Sequence, residues 1–335
     1  MKKFLAISCC FIAFLISCGT AEKAKQNEEA PEVSEEPVEE KENPDGITDI
    51  GIHNIKNGDQ YIGGFKDHKK YGQGEYRYAN GDHYKGNFEN GLYNGQGELK
   101  LKNGTVYSGE FKDGKRDGYG TLTLPSGDLY DGEFADDQIE GEGTYRFKDE
   151  REYRGHFEKG ERHGQGTMTF PSGAVYTGEF RHDKRSGRGT MTFRNGVVYE
   201  GDFVEGKRDG LGKLTMANGD VYEGEFSRDA MHGKGVYKFK NGDVYTGKMD
   251  QNKISGKGKK ETQKLTYTGG FLDGVYHGIG KIEYKNGKVE YGIWEKGRKV
   301  KDLPPSTADE LEDEEPASGS GDEPSGEDEI EEWDE

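Results

Sequence analysis

The sequence predicts an all-β protein: an elongated, single-layer antiparallel sheet of stacked 23-residue β-hairpins, flanked by disordered acidic segments. Three observations predict it. Tyrosine returns at a constant interval, at Tyr61, Tyr84, Tyr107, Tyr130, Tyr153, Tyr176, Tyr199, Tyr222 and Tyr245. Within each interval, apolar and polar residues alternate with period two, the mark of a half-buried strand. Hydrophobic residues are only 30% of the chain, yet aromatics reach 11% and glycines number 54. That composition suits a thin architecture with few, large, regularly placed apolar side chains, and differs from plain disorder, which is poor in aromatics.

The first element reads as an address. MKKFLAISCCFIAFLISCGT opens with two lysines, continues with an apolar run over residues 4–16, and ends in small residues. As a helix that run is about 20 Å long, against about 30 Å of bilayer hydrocarbon, so residues 1–17 have the layout of a secretory signal. The stretch Leu15-Ile16-Ser17-Cys18 resembles the lipobox of bacterial lipoproteins. This resemblance implies cleavage between Ser17 and Cys18, a diacylglyceride on the Cys18 thiol, and attachment to a membrane of the bacterial cell envelope, at the outer membrane or cell surface. An ordinary signal peptide or an uncleaved anchor is the alternative. Cysteine usage fits a lipid: the chain has 3 cysteines, Cys9, Cys10 and Cys18, so the processed form keeps one thiol and forms no internal disulfide. Two or more acyl chains anchor stably where one does not.

Residues 18–46 follow as a tether. Positions 19–46 hold ten acids against three bases with several prolines, a composition that stays disordered and extended. The array itself, 47–300, is close to neutral: 39 acids and 42 bases lie between 47 and 301. The tail, 301–335, carries sixteen acids and no base from residue 302 onward. The net charge of -18 therefore resides in the two ends, and the overall acidity says little about what the array meets.

One repeat shows the logic of all. In YSGEFKDGKRDGYGTLTLPSGDLY, Tyr107, Gly109 and Phe111 share one face while Ser108 and Glu110 share the other. Further on, Gly120, Leu122 and Leu124 alternate with Thr121 and Thr123. The stretch KDGKRD between the two runs carries turn residues and basic ones. Each repeat is thus a hairpin from Tyr107 to the next marker, Tyr130. Glycines such as Gly109, Gly118 and Gly120 permit tight turns or leave room beside an aromatic from the adjacent strand. Stacked repeats of this kind derive their stability from nearest-neighbour terms. Three departures stand out: Glu150 replaces a late glycine, the repeat from Tyr245 has Met249 for phenylalanine and is one residue short, and Trp294 fills the last phenylalanine slot as a cap.

The shared phrase YxGxFxxGxxxGxGTxxxxxG resembles the MORN repeat over 47–300. The resemblance implies an array of stacked hairpins acting as a scaffold, a dimerisation surface or a membrane-associated module. Where such repeats belong to enzymes, catalysis sits in another domain, and the flanking segments leave no room for one. The expected role is a non-enzymatic, membrane-anchored scaffold or interaction protein whose partner is a protein or envelope component.

The candidate contact residues are basic. Lys69, Lys70, Lys115, Arg116, Arg162, Lys184, Arg185, Lys207 and Arg208 precede the paired glycines and would line up along one edge. They form either a stripe for anionic lipid head groups or an acidic partner, or a solvated face paired with neighbouring Asp and Glu that also blunts edge-to-edge aggregation. Export, a near-neutral body and acidic ends argue against nucleic acid. His163, His232 and His277 share one repeat position but lie in nonadjacent repeats, and no spacing suited to a metal ligand set appears. The paired glycines lack the G-K-[ST] of a phosphate loop, so no cofactor is expected. Glycan binding by exposed aromatics would require the Tyr/Phe face to be open. The acidic tail is either a solvating brush, a docking hook through Ile330 and Trp333, or a strand of charge that folds back over the basic turns.

Overall fold

The computed structural model describes residues 46–308. The signal segment, Ser17, Cys18, the tether and the tail beyond Ala308 lie outside the described residues. Among those described, regular structure comprises 23 strands and one short 3-10 turn, Pro305–Ala308. Among the described residues no helix is long and apolar enough to cross a membrane. The chain divides into two units, Met1–Arg185 and Ser186–Glu335. In the first, strands from Thr48–Asn54 to Val175–Arg181 pair antiparallel with their neighbours in chain order. The second repeats the arrangement from Val198–Val204 to Arg298–Asp302. The all-β, antiparallel layer of stacked hairpins expected from the sequence is the architecture observed within each unit.

Most hairpins have a seven-residue leading strand and a nine-residue trailing strand, as in Val106–Lys112 and Lys115–Thr123, while Leu265–Leu272 and Val275–Tyr284 have 8 and 10 residues and the last strand, Arg298–Asp302, has 5. Two residues join them, Asp113 at φ 49° and Gly114 at φ 84°. Two successive positive φ values make a turn whose twist matches that of the flanking strands. The strands differ in length because the trailing one bulges. Gly109 faces Gly120 and Phe111 faces Arg116, so Glu110 alone opposes residues 117–119. Gly118, at φ +103°, supplies the backbone conformation that the bulge needs.

A single layer buries its aromatics by laying them on glycine. Tyr61, Tyr84, Tyr107, Tyr130, Tyr153, Tyr176, Tyr199, Tyr222, Tyr245 and Tyr267 are at most 1% exposed. A Cβ on Gly120 would sit 2.5 Å from Cε2 and Cζ of Tyr107, so the ring occupies the space a side chain would take. The Tyr107 hydroxyl turns back along its own strand and donates to the Glu110 carbonyl at 2.8 Å, satisfying the backbone at the bulge. Phenylalanines wall the ring on both sides, edge-on: Phe111 of the same repeat at 5.0 Å and Phe134 of the next at 4.9 Å. Tyr130 stands between Phe134 and Phe157, Tyr153 between Phe157 and Phe180, and Tyr199 between Phe203 and Phe226. Each edge-to-face contact contributes about 0.5–1.5 kcal/mol beyond area burial. The face is therefore closed, which removes glycan stacking on the repeat tyrosines.

The departures are accommodated locally. Met249 is 1% exposed in the phenylalanine slot, and Trp294 meets Tyr267 edge-on at 5.3 Å. The missing residue is absorbed in the loop before Leu265–Leu272, where the Thr262 hydroxyl accepts from the amides of Lys264 and Leu265. Strand register on either side of that loop is the same as elsewhere.

Candidate interaction surface

The basic positions do not lie in the turns. Lys115 and Arg116 are the first two residues of the trailing strand, and the tight turn is Asp113-Gly114. The bulge sets Arg116 directly opposite Phe111, on the aromatic face. The same position is Lys70, Tyr93, Ile139, Arg162, Arg208, Met231, Ile254 and Tyr276 in other hairpins. It is a core-edge position that takes either an apolar side chain or the apolar stem of a long cation.

Three arginines there are clamped by an aspartate of the next turn. In the first unit, Arg116 Nε donates to Asp137 Oδ1 at 3.1 Å and its Nη2 to the Asp137 carbonyl at 2.5 Å. Arg162 grips Asp183 in the same way, at 2.8 Å for both bonds. In the second unit Arg208 holds Asp229 at 3.3 and 2.5 Å. The guanidinium of Arg116 also covers the rings of Tyr107 and Phe134, and the Arg116 side chain is only 13% exposed. Lys70 packs over the ring of Tyr76 at 4.3 Å, and burial pushes the pKa of its ammonium down against the opposing pull of Asp59. Arg185 lies over the Tyr176 ring. Lys115 is exposed and paired with Asp136 at 2.7 Å, Lys184 is half-buried, and Lys69 and Lys207 are exposed. Within each unit these positions do share one edge, since successive turns are hydrogen-bonded, as from Asp137 N to the Arg116 carbonyl and Asp229 N to the Arg208 carbonyl.

The opposite edge carries a device that sequence reasoning missed, its residues looking like plain turn formers. The aspartate of the Asn-Gly-Asp or Ser-Gly-Asp loop reaches the next hairpin's loop. Asp59 accepts from the Ala79 amide at 2.8 Å and the Tyr76 hydroxyl at 2.7 Å. Asp82 accepts from Lys102 N and Asp128 from Lys148 N, each at 2.7 Å. In the second unit Asp220 accepts from Lys240 N at 2.8 Å and from the Tyr237 hydroxyl at 2.9 Å. The Lys240 amide, with Asn218 and Tyr237, holds the Asp220 carboxyl below its ordinary value against the cost of burial. The available signal was an aspartate 20 residues before the amide it binds, recurring from loop to loop.

What remains exposed is the polar face. Each trailing strand presents the residue between its paired glycines, directly opposite the bulge residue of the next leading strand. In the first unit these pairs are Gln96 with Glu110, Tyr119 with Glu133, Glu142 with His156, and Gln165 with Glu179. Tyr119 is 54% exposed here, in contrast to the closed tyrosines behind it. His163, His232 and His277 lie in strands just beyond the tight turns, the first two facing Glu158 and Asp250. Among the described residues no group of three or more His, Cys, Asp or Glu is arranged to hold a metal ion.

A family model described as the MORN repeat matches residues 61–83, 84–106, 107–129, 130–150, 153–175, 176–198, 199–221, 222–244 and 267–289. No curated protein sequence matches the chain. Among solved structures it is similar to the wild-type TCP10 domain of Danio rerio CPAP in complex with a STIL peptide, at 13% identity, 75% of this chain, 97% of that one and TM-score 0.34. It is also similar to the Drosophila melanogaster SAS-4 TCP domain bound to a proline-rich motif of Ana2, at 12% identity, 58% and 88% coverage and TM-score 0.29. A catalytically inactive virginiamycin B lyase from Staphylococcus aureus with quinupristin aligns at 11% identity, 75% and 96% coverage and TM-score 0.16. The family model leaves 245–266 unmatched, but its matched stretches cover more than half of the chain, and the chain belongs to the MORN-repeat family.

Proposed function

We propose that this chain is a non-enzymatic, membrane-anchored scaffold, held in the bacterial cell envelope by a lipid on Cys18 and presenting its repeat surface to a protein or other envelope component. MORN repeats suggest an interaction or scaffold role in general; the anchor and the envelope partner are the finer reading. One observation carries it: a division of labour between the two faces of the layer. The Tyr–Gly–Phe framework is spent on closing the sheet, and the clamped arginines on tying turn to turn. The polar face repeats its geometry from hairpin to hairpin while its residues differ, from Gln96 and Glu110 to Tyr119 and Glu133 to Glu142 and His156. A constant frame carrying variable exposed residues suits recognition along a length of partner. No reaction is assigned to it.

Two measurements test the reading. Cys18→Ala should abolish incorporation of labelled fatty acid and release the protein from the membrane fraction; unchanged labelling would refute the anchor. A photo-crosslinking residue at Tyr119 or Gln165, on the polar face, should give a discrete adduct in cells, and the same residue at Gly104, in an edge loop, should not. Equal adducts from both positions would refute recognition by the polar face. Direct binding of anionic lipid heads by the basic edge is the second reading, supported by the exposed Lys69 and Lys207. Salt-sensitive co-sedimentation of residues 19–335 with anionic vesicles alone would favour it.

A further inference from the structure

The polar face changes sign once in the second unit. The bulge residue is acidic in five hairpins, as Glu110, Glu133, Glu179, Asp202 and Glu225, the last two in this unit. In the stretch 245–266, which the family model leaves unmatched, it becomes Lys248, and in the following matched repeat it is Gly270. The opposing residues change too, so that Lys234 stands directly across from Lys248, and Lys257 from Gly270. The stem of Lys248 lies over Gly256, which brings its ammonium toward the third strand. Lys234, Lys248 and Lys257 are all exposed. The carboxylates around them have other partners: Glu225 accepts from the Lys234 amide at 2.9 Å, Asp250 faces His232, and Glu261 pairs with Lys259. Like charges directly opposite in a sheet are destabilising, and among the described residues no carboxylate forms an ion pair with Lys234, Lys248 or Lys257.

We propose that Lys234, Lys248 and Lys257 form a docking site for an acidic peptide, and that its occupant is the chain's own segment 309–335. The segment holds fifteen acids and no base. It begins just past the last strand of the same unit, Arg298–Asp302, which lies four strand steps from the strand bearing Lys257. Four steps are about 20 Å at strand spacing, and a segment of that length, at about 3.3 Å per residue, reaches up to about 90 Å, so the span is easily covered. The basic edge is a weaker host in this unit, because Arg208 is already neutralised by Asp229. Docking at the three lysines leaves that edge and the polar face of the first unit uncovered, and so is compatible with scaffolding by the rest of the array.

The test uses the full chain in two measurements. Carbodiimide coupling of an equal mixture of light and isotopically heavy chains should join carboxylates of 309–335 to Lys234, Lys248 and Lys257, in products of a single isotope. The yield should fall at least about tenfold in about 1 M salt, where the Debye length is roughly 3 Å. Products of mixed isotope would place a second copy's segment on the site and overturn the proposal. Coupling with no excess at these three lysines would leave the patch to an external polyanion and also overturn it. In a Trp294→Phe background, which restores the phenylalanine of other repeats, Trp333 reports on the segment alone. Its fluorescence anisotropy should fall about twofold when all three lysines are changed to glutamate; an unchanged value refutes docking.

Discussion

Replacing Gly120 by alanine tests how the layer buries its aromatics. The new Cβ would lie 2.5 Å from Cε2 and Cζ of Tyr107, well inside contact distance. The ring has no free direction in which to yield: its hydroxyl is bonded to the Glu110 carbonyl and its edges meet Phe111 and Phe134. Overpacking of this kind costs about 1–3 kcal/mol, and a displaced ring also forfeits a hydrogen bond worth about 0.5–1.5 kcal/mol. Gly120→Ala should therefore destabilise its hairpin by about 2–4 kcal/mol. In a Tyr107→Ala background the obstruction is gone, and alanine should instead stabilise the strand by about 0.5–1 kcal/mol over glycine. The sign reverses, and the coupling energy is about 3 kcal/mol or more. Gly109 supplies the control. A Cβ there meets the Tyr119 carbonyl oxygen at 2.5 Å, a backbone atom that removing Tyr107 does not move. Gly109→Ala should stay destabilising in both backgrounds. Long repeat arrays unfold in parts, so amide hydrogen exchange of residues 106–123 is the appropriate assay, with urea unfolding beside it. Equal costs for Gly120→Ala with and without the Tyr107 ring would refute the idea that glycine is there to make room for the ring.

Other perturbations follow from the same geometry. Asp137→Ala leaves an alanine at φ near 72° and strands the Arg116 guanidinium, and should cost about 1–3 kcal/mol. The pair Arg116→Ile with Asp137→Gly copies the native Ile139 and Gly160 combination, and should cost under about 1.5 kcal/mol by urea midpoint. Burial pushes the hydroxyls of Tyr107, Tyr176 and Tyr199 up to about 12 from 10.0. Folding favours their neutral form, so that stabilisation is complete below pH 10 and is lost as pH rises from 10 toward 12; phenolate absorbance should appear together with loss of far-ultraviolet dichroism. Asp220 has the opposite sign: its carboxyl is held below 3.8, so its contribution is present above that value and lost as pH falls through the lower folded value. Asp220→Asn should flatten acid unfolding of the second unit between pH 4 and the folded value, as followed by hydrogen exchange at Lys240.

Most of the fold is legible in the sequence because its determinants are local and periodic. Tyr107, Gly109 and Phe111 alternate on one strand, and the same three types recur as Tyr130, Gly132 and Phe134, so face and repeat length follow from counting. Counting fails at Gly118. Whether that glycine takes a positive φ is not a property of composition, and the bulge it allows moves Arg116 from the edge onto the aromatic face. A signal was available in the aligned column, where Tyr93, Ile139, Met231, Ile254 and Tyr276 stand in for the cation. The clamp had a sequence trace as well: Arg116, Arg162 and Arg208 are each followed 21 residues later by an aspartate in place of the turn glycine. Asp59 and Asp220 pass for turn residues because their partners are 20 residues away in the next loop, a distance at which no local rule operates. Cys18, on which the expected anchor rests, lies outside the described residues.

The closure of the aromatic face constrains how a scaffold of this kind recognises anything. In most single-layer sheets the apolar side waits for a second layer or a partner to cover it. Here the repeat tyrosines are buried by glycine and phenylalanine of their own layer, at most 1% exposed. A partner therefore gains little hydrophobic area from that side. It must be read by exposed cross-strand pairs such as Gln165 with Glu179. Exposed polar and charged contacts are individually worth about 0.2–1 kcal/mol, too little for specificity from one hairpin. Affinity has to be accumulated along several repeats in register. Replacing the exposed pair of one hairpin by alanine should weaken partner binding by less than about fivefold, the equivalent of 1 kcal/mol. Replacing the pairs of three successive hairpins should weaken it by about two orders of magnitude, roughly the product of the single effects. A single pair that abolished binding would instead mark a focused hot spot, and the idea of a surface read along its length would have to be given up.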